Sequence, residues 1–289
     1  MTKTSKHISI IGLGNISSYL CKTLQKYRVE ISGVTNNKNR TEILSKLGVT
    51  VYKKNEILKS IELADSMIIT APPDSNGCPI INNYGSDIIK SNISWLGYLS
   101  STSVYGDHSG EVIDEDTHLK PFEETALNRL KAENEVLKLA STSSINTEIF
   151  RVSGIYGPEN NLLRRILSDK MLIINKQNHY FNRIHVSDIA RVLGEASYYA
   201  RNNGIVNLSD DLPASQLDVI KYAYDLLNLK IPKIEEYDNI KHTLKPSIIR
   251  FWKNNRKVNN NLLKNRYGPL IYPTYKEGLK CIYNLLIKN

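Results

Sequence analysis

The stretch Ile8-Ser-Ile-Ile-Gly12-Leu-Gly14-Asn-Ile-Ser17 reads as a short strand, a tight turn and the beginning of a helix that continues to Lys26. Isoleucines make the strand. Gly12 permits the turn, and Gly14 lets a pyrophosphate approach the backbone at the helix N-terminus, with Asn15 and Ile16 as the adjoining loop residues. A third glycine, which lets helix and strand pack closely, is replaced here by the small Ser17. At the first strand-to-helix turn of a chain this pattern predicts dinucleotide binding. The plain alternative is a tight turn with no ligand.

Outward from that turn, strand-like and helix-like stretches alternate. Strands are expected at Ile31–Val34, Val49–Val51, Ser66–Ala71, Trp95–Ser100 and Asn146–Val152, and helices over 41–47, 55–64, 84–91 and 121–140. Such alternation predicts βαβ units, hence a doubly wound Rossmann-type parallel sheet in an α/β fold. After Gly157-Pro158 the pattern loosens. Helices over 187–200, 214–227 and 275–286 and a strand over 204–209 are expected, with 232–246 irregular. The expectation is therefore a dinucleotide-binding domain over 1–158, joined by a returning strand near 204–209, and a smaller α+β substrate-side region over 159–289. The Asn-rich stretch Asn259–Asn261 reads as compositional drift.

With 289 residues, 41% of them hydrophobic, the chain can bury a large core. Lys and Arg number 38 against 29 Asp and Glu, a net charge of +9, which admits nucleic acid, an anionic membrane surface or a phosphate-bearing ligand. Cys21, Cys78 and Cys281 form no disulfide or zinc pattern, so no metal is expected and a cytoplasmic setting is. No apolar run is long enough for a membrane span. The basic start Met1–Lys6 is followed by an apolar run that breaks at Gly12 and Gly14, too short for a signal peptide. The cations at Lys53-Lys54, Arg164-Arg165, Lys253–Lys257 and Lys288 are scattered. Ile249–Lys257 is the best nucleic-acid candidate, but no nucleic-acid partner is expected.

A dinucleotide site that selects NAD places a carboxylate at the end of the second strand. Here Val34-Thr35-Asn36-Asn37-Lys38-Asn39-Arg40 has none. Thr35, Asn36 and Lys38 are the candidate ribose or 2′-phosphate contacts, and NADP is favoured over NAD. Ala71-Pro72-Pro73, closing the fourth strand, is placed against the cofactor. Ser100 and Ser153, at the ends of the fifth and sixth strands, are further candidates for cofactor contact.

Leu99-Ser-Ser101-Thr-Ser-Val-Tyr105-Gly-Asp-His108 resembles the extended short-chain dehydrogenase/reductase superfamily, more closely its atypical YeeZ-like members within the NAD-dependent epimerase/dehydratase group. Phe150–Pro158, Asn182–Arg191, Asn207–Pro213 and Tyr272–Leu279 resemble further motifs of that group, in the same order, so the resemblance spans nearly the whole chain. It implies chemistry by a Ser that holds the substrate oxygen and a Tyr-x-x-x-Lys pair in which Lys lowers the Tyr pKa. The Ser place falls on Ser101, with Thr102 as the fallback. On the following helix either Arg129 or Lys131 takes the Lys place, which puts Thr125 or Leu127 where the Tyr belongs. Tyr105, His108 and Tyr156 are the substitutes to weigh. The strings Tyr237/Lys241 and Tyr272/Lys276 are chance matches, the second containing Pro273.

His185 either lines a cleft or is a structural histidine beside a helix start, with Ser187 or Asp188 as cap. Arg164-Arg165 falls where extended members of the superfamily bind nucleotide-sugar phosphates. The expected function is an NAD(P)-dependent oxidoreductase or epimerase-like protein acting on a carbonyl or hydroxyl of a small-molecule substrate such as a sugar derivative, with a homodimer admitted. The alternative is a non-catalytic NAD(P)-binding sensor or interaction protein lacking the Tyr.

Overall fold

The computed structural model describes residues 5–168 and 171–287. The basic start as far as Thr4, and Lys288, lie outside the described residues. Seven strands form one sheet in the order Gly204–Leu208, Asn146–Val152, Trp95–Ser101, Ser66–Ile69, His7–Ile11, Glu30–Val34, Thr50–Tyr52. His7–Ile11 pairs in parallel with both Glu30–Val34 and Ser66–Ile69. Every residue of His7–Ile11 and of Ser66–Ile69 is buried, as expected of strands covered on both faces. This is the doubly wound α/β arrangement read from the sequence.

The chain runs from the first strand to the second and third on one side, then crosses to the fourth on the other. The order therefore reverses between His7–Ile11 and Ser66–Ile69, and ligands of such sheets bind outside the carboxyl ends of the strands at this reversal. Buried serines fix the register nearby. Ser60 Oγ lies 2.7 Å from Ser9 Oγ and 2.8 Å from Ser32 Oγ, linking the helix Ile57–Leu63 to two strands. Gly97 leaves room for the Trp95 ring, because a Cβ there would sit 2.4 Å from it.

Element ends differ from the sequence reading for identifiable reasons. The helix expected at 84–91 begins at Pro79, since Pro at the first position supplies a preset φ and needs no partner for its missing N–H. The helix expected at 41–47 begins at Lys38, because the Asn37 side chain accepts from the Arg40 amide at 3.1 Å and caps it. The fourth strand stops at Ile69, two residues early.

The chain divides into two compact units, each discontinuous. The first comprises 1–104, 122–151 and 189–206, and the second 105–121, 152–188 and 207–289. The second holds short parallel pairs, Gly154–Tyr156 with Arg183–His185 and Ile173–Asn175 with Ile234–Glu236. Its core gathers Leu163, Ile173, Val219, Ala223, Leu279 and Ile282 from three helices and a strand. The capping box Thr274–Glu277 starts the last helix, Tyr275–Leu286. The stretch 232–246, read as irregular, contains the strand Ile234–Glu236 and the short helix Tyr237–Ile240. Asn260 is buried, donating to Ser209 O at 2.9 Å and Asp211 Oδ1 at 2.7 Å, so its stretch is a structural joint rather than drift. No described helix is long and apolar enough to cross a membrane.

Candidate active site

In the first unit the glycine turn closes tightly. Gly12 has φ +99°, and a Cβ there would sit 2.5 Å from the Ala71 amide nitrogen. Only glycine fits, because the backbone is left-handed and another backbone passes at contact distance. Ala71 N donates to Ile11 O at 3.1 Å, and the Thr70 hydroxyl donates to Gly12 O. Ala71 of the Ala71-Pro72-Pro73 segment is thereby brought against the turn, with Pro72 exposed and Pro73 half-buried. At Gly14 a Cβ would meet nothing within 4 Å. The amides of Gly14 and Ser17 are used inside the turn, at 2.9 Å to Gly12 O and 3.2 Å to Gly14 O. Among the described residues those of Asn15 and Ile16 donate to no backbone carbonyl. Two amides at the N-terminus of the nine-residue helix Ser17–Gln25 are therefore available to an anion. The Ser17 hydroxyl donates to Gly14 O at 2.8 Å, filling the third glycine's place without opening the joint.

The loop after the second strand distributes its side chains unevenly. The Thr35 hydroxyl accepts from the Asn37 amide at 3.1 Å and keeps its own proton. Asn36 Oδ1 accepts from the Lys54 amide at 3.0 Å, holding the third strand's exit. Lys38 is exposed. Arg40, one helical turn in, donates from Nη2 to Asn15 Oδ1 at 2.6 Å, so a cation of this loop is tied to the glycine turn itself.

At the end of the fifth strand, neighbouring serines point to different partners. The Ser100 hydroxyl is buried and donates to Glu133 Oε1. Glu133 in turn receives Arg151, Nη2 to Oε2 at 2.8 Å, with both side chains buried. Ser101 is partly exposed, and its Oγ accepts from the Ser103 amide at 3.1 Å, which leaves the hydroxyl proton to donate. Thr102 is buried. On the helix Glu124–Ser141, Arg129 Nη1 donates to Leu99 O at 2.8 Å, two residues before Ser101. Lys131 is exposed and its Nζ reaches Ser75 O at 3.3 Å instead. Thr125 is exposed.

The other candidates belong to the second unit. Tyr105 is fully buried, and its hydroxyl donates to Asn207 Oδ1 at 2.7 Å. His108 Nε2 lies 3.0 Å from Tyr105 O. Tyr156 donates to Thr274 O at 3.4 Å, and its ring occupies the space beside Gly278. Burial, with Asp210 and Asp188 adding to it, pushes the Tyr156 phenol up, away from a phenolate. His185 is buried, its ring 4.1 Å from that of Tyr272 and 5.2 Å from that of Tyr156. Its Nδ1 accepts from the Ser187 amide at 3.2 Å, and burial lowers its pKa to about 4, so it is neutral. Asp188, in the first turn of its helix, accepts from the amides of Ile271, 2.6 Å, and Tyr272, 3.1 Å. The Ser153 amide donates to Leu208 O at 2.9 Å and the residue is buried. Among the described residues no group of three or more His, Cys, Asp or Glu is placed to hold a metal.

The sheet reversal, the glycine turn beneath Ala71 and the free amides define a dinucleotide-binding α/β protein. The chain belongs to the NAD dependent epimerase/dehydratase family, whose model matches residues 8–208. A functionally unknown conserved protein from Silicibacter pomeroyi is 30% identical, with a TM-score of 0.90 over 97% of this chain and 99% of that one. The UDP-glucuronic acid 4-epimerase of Bacillus cereus in complex with NAD is 17% identical, with a TM-score of 0.77 over 98% and 97% of the two chains. MoeE5 in complex with UDP-glucose and NAD is 16% identical, at 0.77 over 98% and 99%. At those identities the last two show the fold alone. No curated protein matches.

Two residues with site geometry were not singled out as candidates from the sequence. Glu133 has no signal there, being one acidic residue on a charged helix. Arg40 was visible only as one cation in its loop, and its link to Asn15 depends on the fold.

Proposed function

We propose that the protein is an NAD(P)-dependent oxidoreductase or epimerase-like enzyme acting on a carbonyl or hydroxyl group, with sugar derivatives the first class to test. The observation that carries the reading is the Gly12 turn, left-handed and closed against Ala71, with the Asn15 and Ile16 amides open at a helix start. In this reading those amides hold the pyrophosphate, and Ala71-Pro72-Pro73 lies along the cofactor. Thr35 and Lys38 face the adenosine ribose together with Arg40. A loop of hydroxyl and cationic groups without a carboxylate favours NADP over NAD. The bound nicotinamide supplies hydride transfer.

Ser101 orients the substrate oxygen through its uncommitted proton. Arg129, held to Leu99 O, takes the place of the Lys, and Thr125 then stands at the Tyr place, four residues earlier on the helix. The proton must therefore be exchanged through the substrate's own groups or through water held by Ser101.

A second reading, a non-catalytic NAD(P)-binding protein, is favoured by one observation. The hydroxyls of Tyr105 and Tyr156 are engaged inside the fold, so neither replaces the missing acid/base. Titrating NADPH and NADH by nicotinamide fluorescence tests the shared part of both readings, which fails if neither binds below about millimolar. A panel of carbonyl and sugar substrates, followed at the nicotinamide absorbance, separates them. Turnover lost in Ser101→Ala with cofactor affinity kept supports the enzyme, and no turnover with any substrate favours the binding protein.

A further inference from the structure

The first unit carries a groove of about 330 Å³ between the helix Ile57–Leu63 and the helix Pro79–Lys90. It sits where these helices end and lead into the strands Ser66–Ile69 and Trp95–Ser101, at the amino ends of the strands. The glycine turn follows the carboxyl end of His7–Ile11, so the length of the sheet separates the two places. Leu58 and Ile61 give the groove an apolar wall, and Glu62, Asp87, Lys90 and Asn92 line most of the remainder. Ile61 is 1% exposed, but Leu58 is 44% exposed and the four polar residues are exposed as well. A groove this open leaves much of a small molecule in water, whereas pockets for small ligands enclose most of theirs. It suits a side chain that arrives on a larger surface.

The carboxylates of the groove stand against their local electrostatics. Glu62 and Asp87 each lie in the last turn of their helix, where the backbone carbonyls make an anion unfavourable. Other acids on this unit's surface have cations: Glu42 has Lys46 at 2.8 Å, and Glu56 has Lys59 at 2.9 Å. Among the described residues Glu62 and Asp87 take part in no hydrogen bond or ion pair. Lys90 complements the end of its own helix and is bonded to neither acid. Each acid thus weakens its helix end and makes no contact that compensates within the fold. Two unpaired carboxylates beside an apolar wall, on a chain of net charge +9, are complementary to a guanidinium carried next to an aliphatic side chain.

We propose that this groove docks a partner protein through an extended segment, with an arginine set between Glu62 and Asp87 and a neighbouring aliphatic side chain on Leu58 and Ile61. The proposal does not rest on the cofactor reading, and it is tested on the full chain without dinucleotide. The probe is a fluorescein-tagged peptide of alternating Leu and Arg, followed by polarisation. Its affinity should fall about tenfold as salt is raised from about 50 to about 500 mM. Peptides of alternating Leu and Glu, or of alternating Ser and Arg, should each bind about tenfold more weakly. Glu62→Lys and Asp87→Lys should each lower affinity about tenfold, and Leu58→Ser about fivefold. All three positions are exposed, and the two lysine variants should unfold at no lower urea concentration, since a cation suits a helix end. Asp238→Lys makes the same charge change on an exposed acid of the second unit and should leave binding as it was. The proposal is overturned if Asp238→Lys weakens the peptide as much as Glu62→Lys does, if Leu58→Ser binds as before, or if the Leu-Glu peptide binds as tightly as the Leu-Arg one. It is also overturned if free butylguanidine binds as tightly as the peptide, because the occupant is then a small cation.

Discussion

Gly12 combines a left-handed backbone with a backbone neighbour at 2.5 Å from any added Cβ. Gly12→Ala should cost about 1–3 kcal/mol of stability, measured by urea unfolding, and abolish dinucleotide binding even where the fold survives. Arg40 differs in kind, because it is polar, partly exposed and held by Asn15. Arg40→Ala should weaken NADPH roughly tenfold or more and leave NADH nearly unchanged, in parallel fluorescence titrations. Equal losses for both nucleotides would remove Arg40 from 2′-phosphate recognition. At this scale the sequence was uneven. Gly12 could be read because one residue type alone fits its geometry. Ser100 and Ser101 could not be told apart by type. The fold separates them, committing one hydroxyl to buried Glu133 and leaving the other partly exposed.

The strands of the sheet were legible because parallel strands buried on both faces appear as short apolar runs, as Ser66–Ile69 does. The pairs of the second unit were not, since three residues such as Gly154–Tyr156 carry no period to detect. The helix Glu124–Ser141 was legible in outline, but its buried carboxylate was not. Glu133 joins this helix to the fifth and sixth strands through Ser100 and Arg151. Glu133→Ala leaves Arg151 charged and buried without that partner, so the variant should lose about 3–5 kcal/mol in urea unfolding. Replacing both Glu133 and Arg151 with Met should cost much less. A single variant as stable as the unmodified protein would contradict this account of the joint.

For the second unit as a whole, three buried groups set the pH of greatest stability. Burial pushes Asp210 up to about 8, against the opposing pull of Arg183, and lowers His179 and His185 to about 4. Above the ordinary carboxylate range and up to about 8, the folded form keeps a proton on Asp210 that the unfolded chain releases, so this term weakens the fold as pH rises. Below about 6.5 the unfolded chain protonates both histidines and the folded form does not, so their term weakens it as pH falls. Two groups outweigh one on the acid side, and Asp210 acts alone above it. Urea midpoints should peak near pH 6.5. Asp210→Asn should flatten the decline between 6.5 and 8, and joint replacement of His179 and His185 by Gln should flatten the acid limb. A profile unchanged by either would refute the assignment.

The interleaving of the two units governs how the protein can be made. The chain passes from one to the other five times, at 104, 121, 151, 188 and 206. A nascent chain leaving the ribosome N-terminus first cannot complete the dinucleotide-binding unit until residue 206 has emerged, because its last segment arrives only then. By that point two segments of the second unit are already outside, waiting for the final 207–289. Neither unit exists as a continuous gene fragment, so an insertion or truncation that spares every residue of one can still leave the other unfinished.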